Sequence, residues 1–128
     1  MAPGNLKYAK THEWILLEGD VGTVGISDFA TNQLTDLVFL ELPKVGKKLK
    51  AGEIFGVIES VKSANDLYSP VAGEVAAVNS QLPDSLATLS SDPFGKGWLV
   101  KLKVTDPASA SQLMDSTAYA AHCESEKH

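Results

Sequence analysis

Few side chains in this 128-residue chain are placed to do covalent chemistry. Cys123 is the single cysteine, so neither an intrachain disulfide nor a cysteine metal site can form. Histidines stand only at positions 12, 122 and 128, and no set of His, Cys and carboxylate shows metal-ligand spacing. A nucleophilic serine needs an activating base, and no Ser/His/Asp order can be argued from His12. The chain carries no nucleophile elbow, P-loop, dinucleotide glycine fingerprint or HExxH motif. It therefore does not read as an enzyme with its own active site. That leaves Lys62, in Glu59-Ser60-Val61-Lys62-Ser63. A free lysine has a pKa of about 10.4 and is a charged, poor nucleophile at neutral pH. Taken alone it is a surface lysine in a turn. As a substrate for acylation it reads differently, because acylation removes a charge that needs no ion-pair partner.

The elements on either side would present it. Ile54 to Ile58 approaches Lys62 and Leu67 to Val71 leaves it, two short β-prone runs that place the lysine at or near a tight turn. A lysine at a hairpin tip is open to a modifying enzyme. A long group tethered there can swing clear of a rigid scaffold.

The rest of the chain supplies that scaffold. Trp14-Ile15-Leu16-Leu17, the turn cluster Glu18-Gly19-Asp20 and the alternating Val21 to Ile26 read as a hairpin. Gly22 and Gly25 inside the second strand mark a bend or a close backbone approach. Ser27-Asp28 caps a short helix through Phe29 to Leu34. Leu37 to Leu42 is a strand closed by Pro43; Glu53 to Val61, Asp66 to Val78 and Trp98 to Val104 follow. Asp106-Pro107 would cap a helix over Ala108 to Met114, and Asp115 or Ser116 a second over Ala118 to Cys123. Tyr119 and Cys123 would share a face of it, and Trp14 belongs to the core. Many short strands with glycine-rich turns imply a barrel or sandwich. No repeat or linker divides the chain, so residues 1–128 are expected to form one domain, with 1–5 and 124–128 as flexible ends.

The net charge is -5, and all 11 basic residues are lysines. Arginine is favoured for bidentate contact with phosphate and guanine, so an acidic chain without it is a poor nucleic-acid binder. The lysine cluster Lys44, Lys47, Lys48 and Lys50 surrounds a turn and reads as a solvated loop. No apolar run approaches membrane-span length, and the start is neither a signal nor a transit peptide. A monomer in a bacterial cytoplasm is expected; the alternative is a mitochondrial matrix protein in mature form.

The run from Phe55 through Glu59-Ser60-Val61-Lys62-Ser63-Ala64-Asn65-Asp66 to Ser69-Pro70-Val71-Ala72-Gly73-Glu74-Val75 resembles the lipoylation region of the glycine cleavage system H proteins. Four further segments resemble that family in the same order. They are Tyr8 through His12-Glu13-Trp14, Gly22-Thr23-Val24-Gly25-Ile26, Val38-Phe39-Leu40-Glu41-Leu42-Pro43, and Asp92-Pro93-Phe94-Gly95-Lys96-Gly97-Trp98-Leu99-Val100-Lys101. The resemblance spans roughly residues 6 to 124. Biotin carriers usually flank their lysine with methionines, and 2-oxoacid dehydrogenase lipoyl domains usually place an aspartate before it. Here the neighbours are Val61 and Ser63.

The resemblance implies a barrel-sandwich hybrid of the lipoyl/biotinyl-carrier kind, mainly β, with short helices that include a C-terminal helical segment. It implies lipoate in amide linkage on Lys62, with Glu59 and Gly73 read by the lipoate-attaching enzyme. Glu13 and Asp66 fall where the family places acidic groups near the loaded arm, suited to a cationic aminomethyl group. The implied partners are glycine decarboxylase with pyridoxal phosphate, aminomethyltransferase with tetrahydrofolate, and dihydrolipoyl dehydrogenase. The alternative function is a lipoate relay that donates the group to 2-oxoacid dehydrogenase complexes. The chain departs from the family's usual residues at Ser63, where a small serine should be tolerated beside Lys62, and at Ser85-Leu86 and Ser90, which bear on the 79–91 loop rather than on the carrier role.

Overall fold

In the computed structural model, which describes residues 6–34, 36–105, 110 and 113–126, the expected first hairpin forms. Strands β2 (Glu13–Glu18) and β3 (Val21–Ile26) pair antiparallel from Glu13↔Ile26 to Glu18↔Val21. Gly19 turns the chain at φ 67°, a left-handed conformation that glycine adopts without steric cost. Gly25 lies under the Trp14 indole: a Cβ there would stand 2.5 Å from Cζ2 of the ring. The close approach suggested by that glycine is therefore real, and it explains why Trp14 can be only 2% exposed.

Two sheets hold the strands. Strand order in the larger is β1 (Lys7–Tyr8), β2, β3, β9 (Val100–Val104), β8 (Gly73–Val78) and β5 (Lys48–Leu49). The smaller has β6 (Ile54–Ser60) between β4 (Leu37–Glu41) and β7 (Ala64–Tyr68). Alternation does the sorting. In β9, Val100, Leu102 and Val104 are buried while Lys101 and Lys103 face out. Inward residues of both sheets meet in one core, with Ile15, Val24, Val75 and Leu102 from the larger and Leu40, Phe55, Ile58 and Leu67 from the smaller. Burying each such side chain contributes about 1.5–3 kcal/mol. This is the mainly β, barrel-sandwich hybrid architecture with short helices.

A second cluster joins Leu6, Tyr8, Trp14, Tyr119 and Cys123. It seats helix α3 (Ser116–Glu126) against the start of the larger sheet. Asp115 starts α3, accepting the Ala118 amide at 2.8 Å. Tyr119 and Cys123 share its buried face, as their four-residue spacing requires. The helix runs to Glu126, beyond the frayed end expected from Glu124, so a regular backbone extends further than the apolar pattern did. Ser27 caps α1 (Asp28–Leu34) with its hydroxyl on the Ala30 amide at 3.3 Å.

Helix α2 (Leu86–Ser91) forms in the loop with altered residues, with Leu89 fully buried as its anchor. β7 ends at Tyr68 rather than at Val71, because Ser69 to Ala72 cross to the other sheet. The four lysines of the 44–50 cluster are all exposed. The Asp106-Pro107 cap, residues 108, 109, 111 and 112 of the expected Ala108–Met114 helix and the chain ends at 1–5 and 127–128 lie outside the described residues, and Met114 bridges Tyr8 instead of closing that helix.

Candidate functional site

Lys62 stands at the tip of the β6–β7 hairpin. Pairing runs from Ile54↔Tyr68 to Glu59↔Ala64, leaving Ser60, Val61, Lys62 and Ser63 as the connection. β7 begins at Ala64, closer to the lysine than the run from Leu67 or Asp66 suggested, which shortens the turn. The Ser60 amide donates to the Ser63 carbonyl at 2.8 Å and closes it. Ser60 is buried, and its Oγ accepts the Ser63 amide at 3.3 Å. On the outer side the Val61 amide donates to the Asp36 carbonyl at 3.0 Å, tying the tip to the residue just before β4. The tip is thus held by backbone bonds on both sides while Val61 and Lys62 themselves are exposed.

Glu59 is half-buried in β6, opposite Ala64 and Phe39 in the two neighbouring strands. Gly73 lies elsewhere, in the larger sheet between Leu49 of β5 and Val104 of β9. A Cβ on Gly73 would stand 2.7 Å from the Lys103 carbonyl oxygen. The glycine is therefore required for strand approach rather than for turn geometry, and the chain does not bring it into the hairpin with Glu59.

Glu13 and Asp66 do come together. Both line a cleft of about 480 Å³, with Lys10, Thr11 and His12 on one wall and Ala30, Gln33 and Leu34 of α1 on another. Its floor is apolar, from Ile26, Ile58 and Leu67, and Ala64 and Asn65 carry its edge to within two residues of Lys62. Asp66 is exposed. Glu13 is only 1% exposed, so it is no surface carboxylate. Its Oε2 accepts the Tyr68 amide at 3.0 Å and its Oε1 accepts the Thr11 hydroxyl. Burial pushes its pKa up to about 7, against the opposing pull of those two donors. Near neutrality the carboxyl is thus balanced between acid and anion, and a cation in the cleft would draw it to the anion.

The residues that place Glu13 carried no sequence signal. His12 has φ 80°, a left-handed conformation costing a non-glycine residue about 1–2 kcal/mol. It reverses the chain so that the Ala9 amide reaches the Glu13 carbonyl at 2.8 Å and the Ser27 amide reaches the His12 carbonyl at 2.9 Å. The His12 ring lies 2.8 Å, Nδ1 to hydroxyl oxygen, from Tyr119 of α3. No local pattern could have linked positions 107 apart.

The family model described as glycine cleavage H-protein matches residues 6–126. The chain belongs to the glycine cleavage H-protein family. A glycine cleavage system H protein of Symbiobacterium thermophilum is 51% identical over 117 residues, covering 91% of each chain. One from Chromohalobacter salexigens is 49% identical over 126 residues, 98% of this chain and 96% of its own. The crystal structure of a glycine cleavage system H protein from Mycobacterium marinum is similar at TM-score 0.86 and 38% identity, covering 94% of this chain and 97% of that one. This H protein is the lipoyl carrier of the glycine cleavage system.

Proposed function

We propose that Lys62 bears the lipoyl group in amide linkage and that the neighbouring cleft shelters the arm when it is loaded. The observation that carries this reading is the pairing of an exposed lysine on a backbone-tied tip with a cleft that starts at the next strand and holds a buried carboxyl. The residues suit the group. Ile26, Ile58 and Leu67 offer an apolar floor for a hydrocarbon stem, and Glu13 with Asp66 offer negative charge for an ammonium. When bound, lipoate supplies a disulfide that accepts the glycine-derived aminomethyl unit and a dithiol that is later reoxidised.

The chain's own part is to present, hold and shield. The tip presents the Lys62 amine to the attaching enzyme, with Glu59 three residues before it on the central strand of the small sheet. Gly73 supports recognition through the strand approach it permits in the larger sheet. In the cleft, Glu13 gives up its proton as the cation arrives, and the Tyr68 amide and Thr11 hydroxyl then hold the anion in place. The walls exclude water from the cargo. The whole of 1–128 acts as one carrier domain, performs no catalysis and visits the glycine decarboxylase, the aminomethyltransferase and the dihydrolipoyl dehydrogenase. Tethering raises the arm's effective concentration at each.

Intact-mass measurement of protein from a lipoate-competent host tests the attachment. A lipoyl increment that maps to Lys62 supports it; no increment beside a lipoylated control overturns it. With the purified partner enzymes, the lipoylated protein should support glycine-dependent CO2 exchange. Its failure to do so, with lipoate in place, would point instead to a relay of lipoate to other complexes.

A further inference from the structure

The C-terminal helix reaches the cleft without lining it. Tyr119 stacks on Tyr8, ring centroids 4.2 Å apart and planes within 5°. That stack aims its hydroxyl at two groups, His12 Nδ1 at 2.8 Å and the Ser27 hydroxyl. Both belong to cleft walls. His12 is the left-handed residue directly before Glu13, and it lines the cleft. Ser27 caps α1, the helix that contributes Ala30, Gln33 and Leu34 to the opposite wall. One hydrogen-bond order satisfies all three: Ser27 donates to Tyr119, Tyr119 donates to His12 Nδ1, and the Ser27 oxygen accepts the Ala30 amide. Next along α3, His122 Nε2 lies 3.0 Å from the Lys10 carbonyl, a second bond to the same wall. The His122 ring also faces His12 at 5.6 Å between centroids.

We propose that Tyr119 is a positioning residue that latches the two walls of the cleft together, holding His12 in its left-handed conformation so that Glu13 points inward. The proposal deepens the sheltering role given to the cleft above and rests on it for its biological purpose, but its geometry can be tested without any cargo. Tyr119 never touches the arm. It acts through His12 on one side and through Ser27 on the other, and the tie spans nearly the whole chain.

Tyr119→Phe removes only the hydroxyl and keeps the stack on Tyr8, so the variant should fold. In unloaded full-length protein, amide exchange should quicken roughly tenfold at Ala9, His12 and Ser27, the size expected for losing one or two buried hydrogen bonds. The Leu99 amide, bonded to the Val24 carbonyl at 2.8 Å in the core, should not change. The Glu13 carboxyl, followed by carbon chemical shift, should titrate at lower pH as water enters. The other charged and titratable groups on the walls are Lys10, His12, Asp66 and Tyr68, with His122 behind, and their titrations are followed in the same spectra. In a His12→Gly background the left-handed turn needs no holding, so Tyr119→Phe should add no further change at Ala9 there, and only the Ser27 amide, next to the bond that remains, should still respond. Exchange that rises equally at Leu99, or a Glu13 titration unmoved by Tyr119→Phe, overturns the latch. A second readout separates the two readings. If loaded wild type and Tyr119→Phe lose cargo equally slowly while Glu13→Gln loses it several-fold faster, the cleft shelters and the latch is wrong. If loaded wild type loses cargo as fast as a lipoyl-lysine peptide, the sheltering role fails, while the exchange result still decides the latch.

Discussion

The hairpin tip and the cleft beside it are built by opposite rules. The tip around Lys62 is local: its partners are Ser60, Ser63 and the Asp36 carbonyl, its side chains are exposed, and backbone bonds do the holding. The cleft around Glu13 is non-local: its partners come from residues 11, 68 and, at one remove, 119 and 27, and side chains do the holding. A site that is only an attachment point needs exposure and a firm base. A site that must tune a carboxyl needs burial and partners converging from several elements. Substitutions at the tip should therefore change what is attached and leave stability alone, whereas substitutions at the cleft should change stability and its response to pH.

Lys62→Arg gives the largest effect and the cleanest break. Lipoyl incorporation should vanish by intact mass while the thermal midpoint stays within a degree or so, as expected for an exposed site. Residual lipoate on that variant would move the attachment elsewhere. Glu13→Gln should show the reverse pattern. Because folding raises the Glu13 pKa from 4.5 to about 7, its favourable contribution is complete below pH 4.5 and is lost as pH rises through 7. The Gln variant should lack that loss and be relatively more stable at pH 8, by up to roughly 3 kcal/mol on the size of the shift. Denaturant unfolding at pH 5 and pH 8 measures it, and an equal wild-type-to-Gln difference at both would break the contrast.

Gly73→Ala comes next. Its Cβ would crowd the Lys103 carbonyl, so a stability loss of about 1–3 kcal/mol is expected. If lipoylation of the folded variant falls as well, the strand approach serves recognition; if only the midpoint falls, the role of Gly73 is packing alone. Ser63→Ala should have the smallest effect, within about 0.5 kcal/mol and with normal lipoylation, since the Ser63 side chain adds to a turn already closed by backbone.

Legibility followed the same division. The hairpin from 13 to 26, the Ser27 cap, the Leu/Lys alternation of β9 and the turn at Lys62 were all readable, because each depends on neighbours within a few residues. The pairing of β3 with β9 and the split into two sheets were not, since strand alternation says which face is buried but not which strand lies alongside. Glu13 shows the limit most plainly. Its place in the His12-Glu13-Trp14 segment marked it, but its burial and the Tyr68 amide that bonds it arise from a strand 55 residues away. Tyr119 read only as sharing one face of a terminal helix with Cys123. Its hydroxyl, which ties two walls, could be found only once α3 was seated.

That seating has a consequence for how the protein is made. The three strands that display Lys62 are complete once residue 68 has left the ribosome, whereas the Tyr119 hydroxyl that bonds His12 and Ser27 arrives 107 residues after His12. During synthesis the Lys62 hairpin is thus encoded early and the bonds across the cleft walls late. A chain released without α3 would keep the hairpin that presents Lys62 but would lack the Tyr119 bonds to His12 and Ser27.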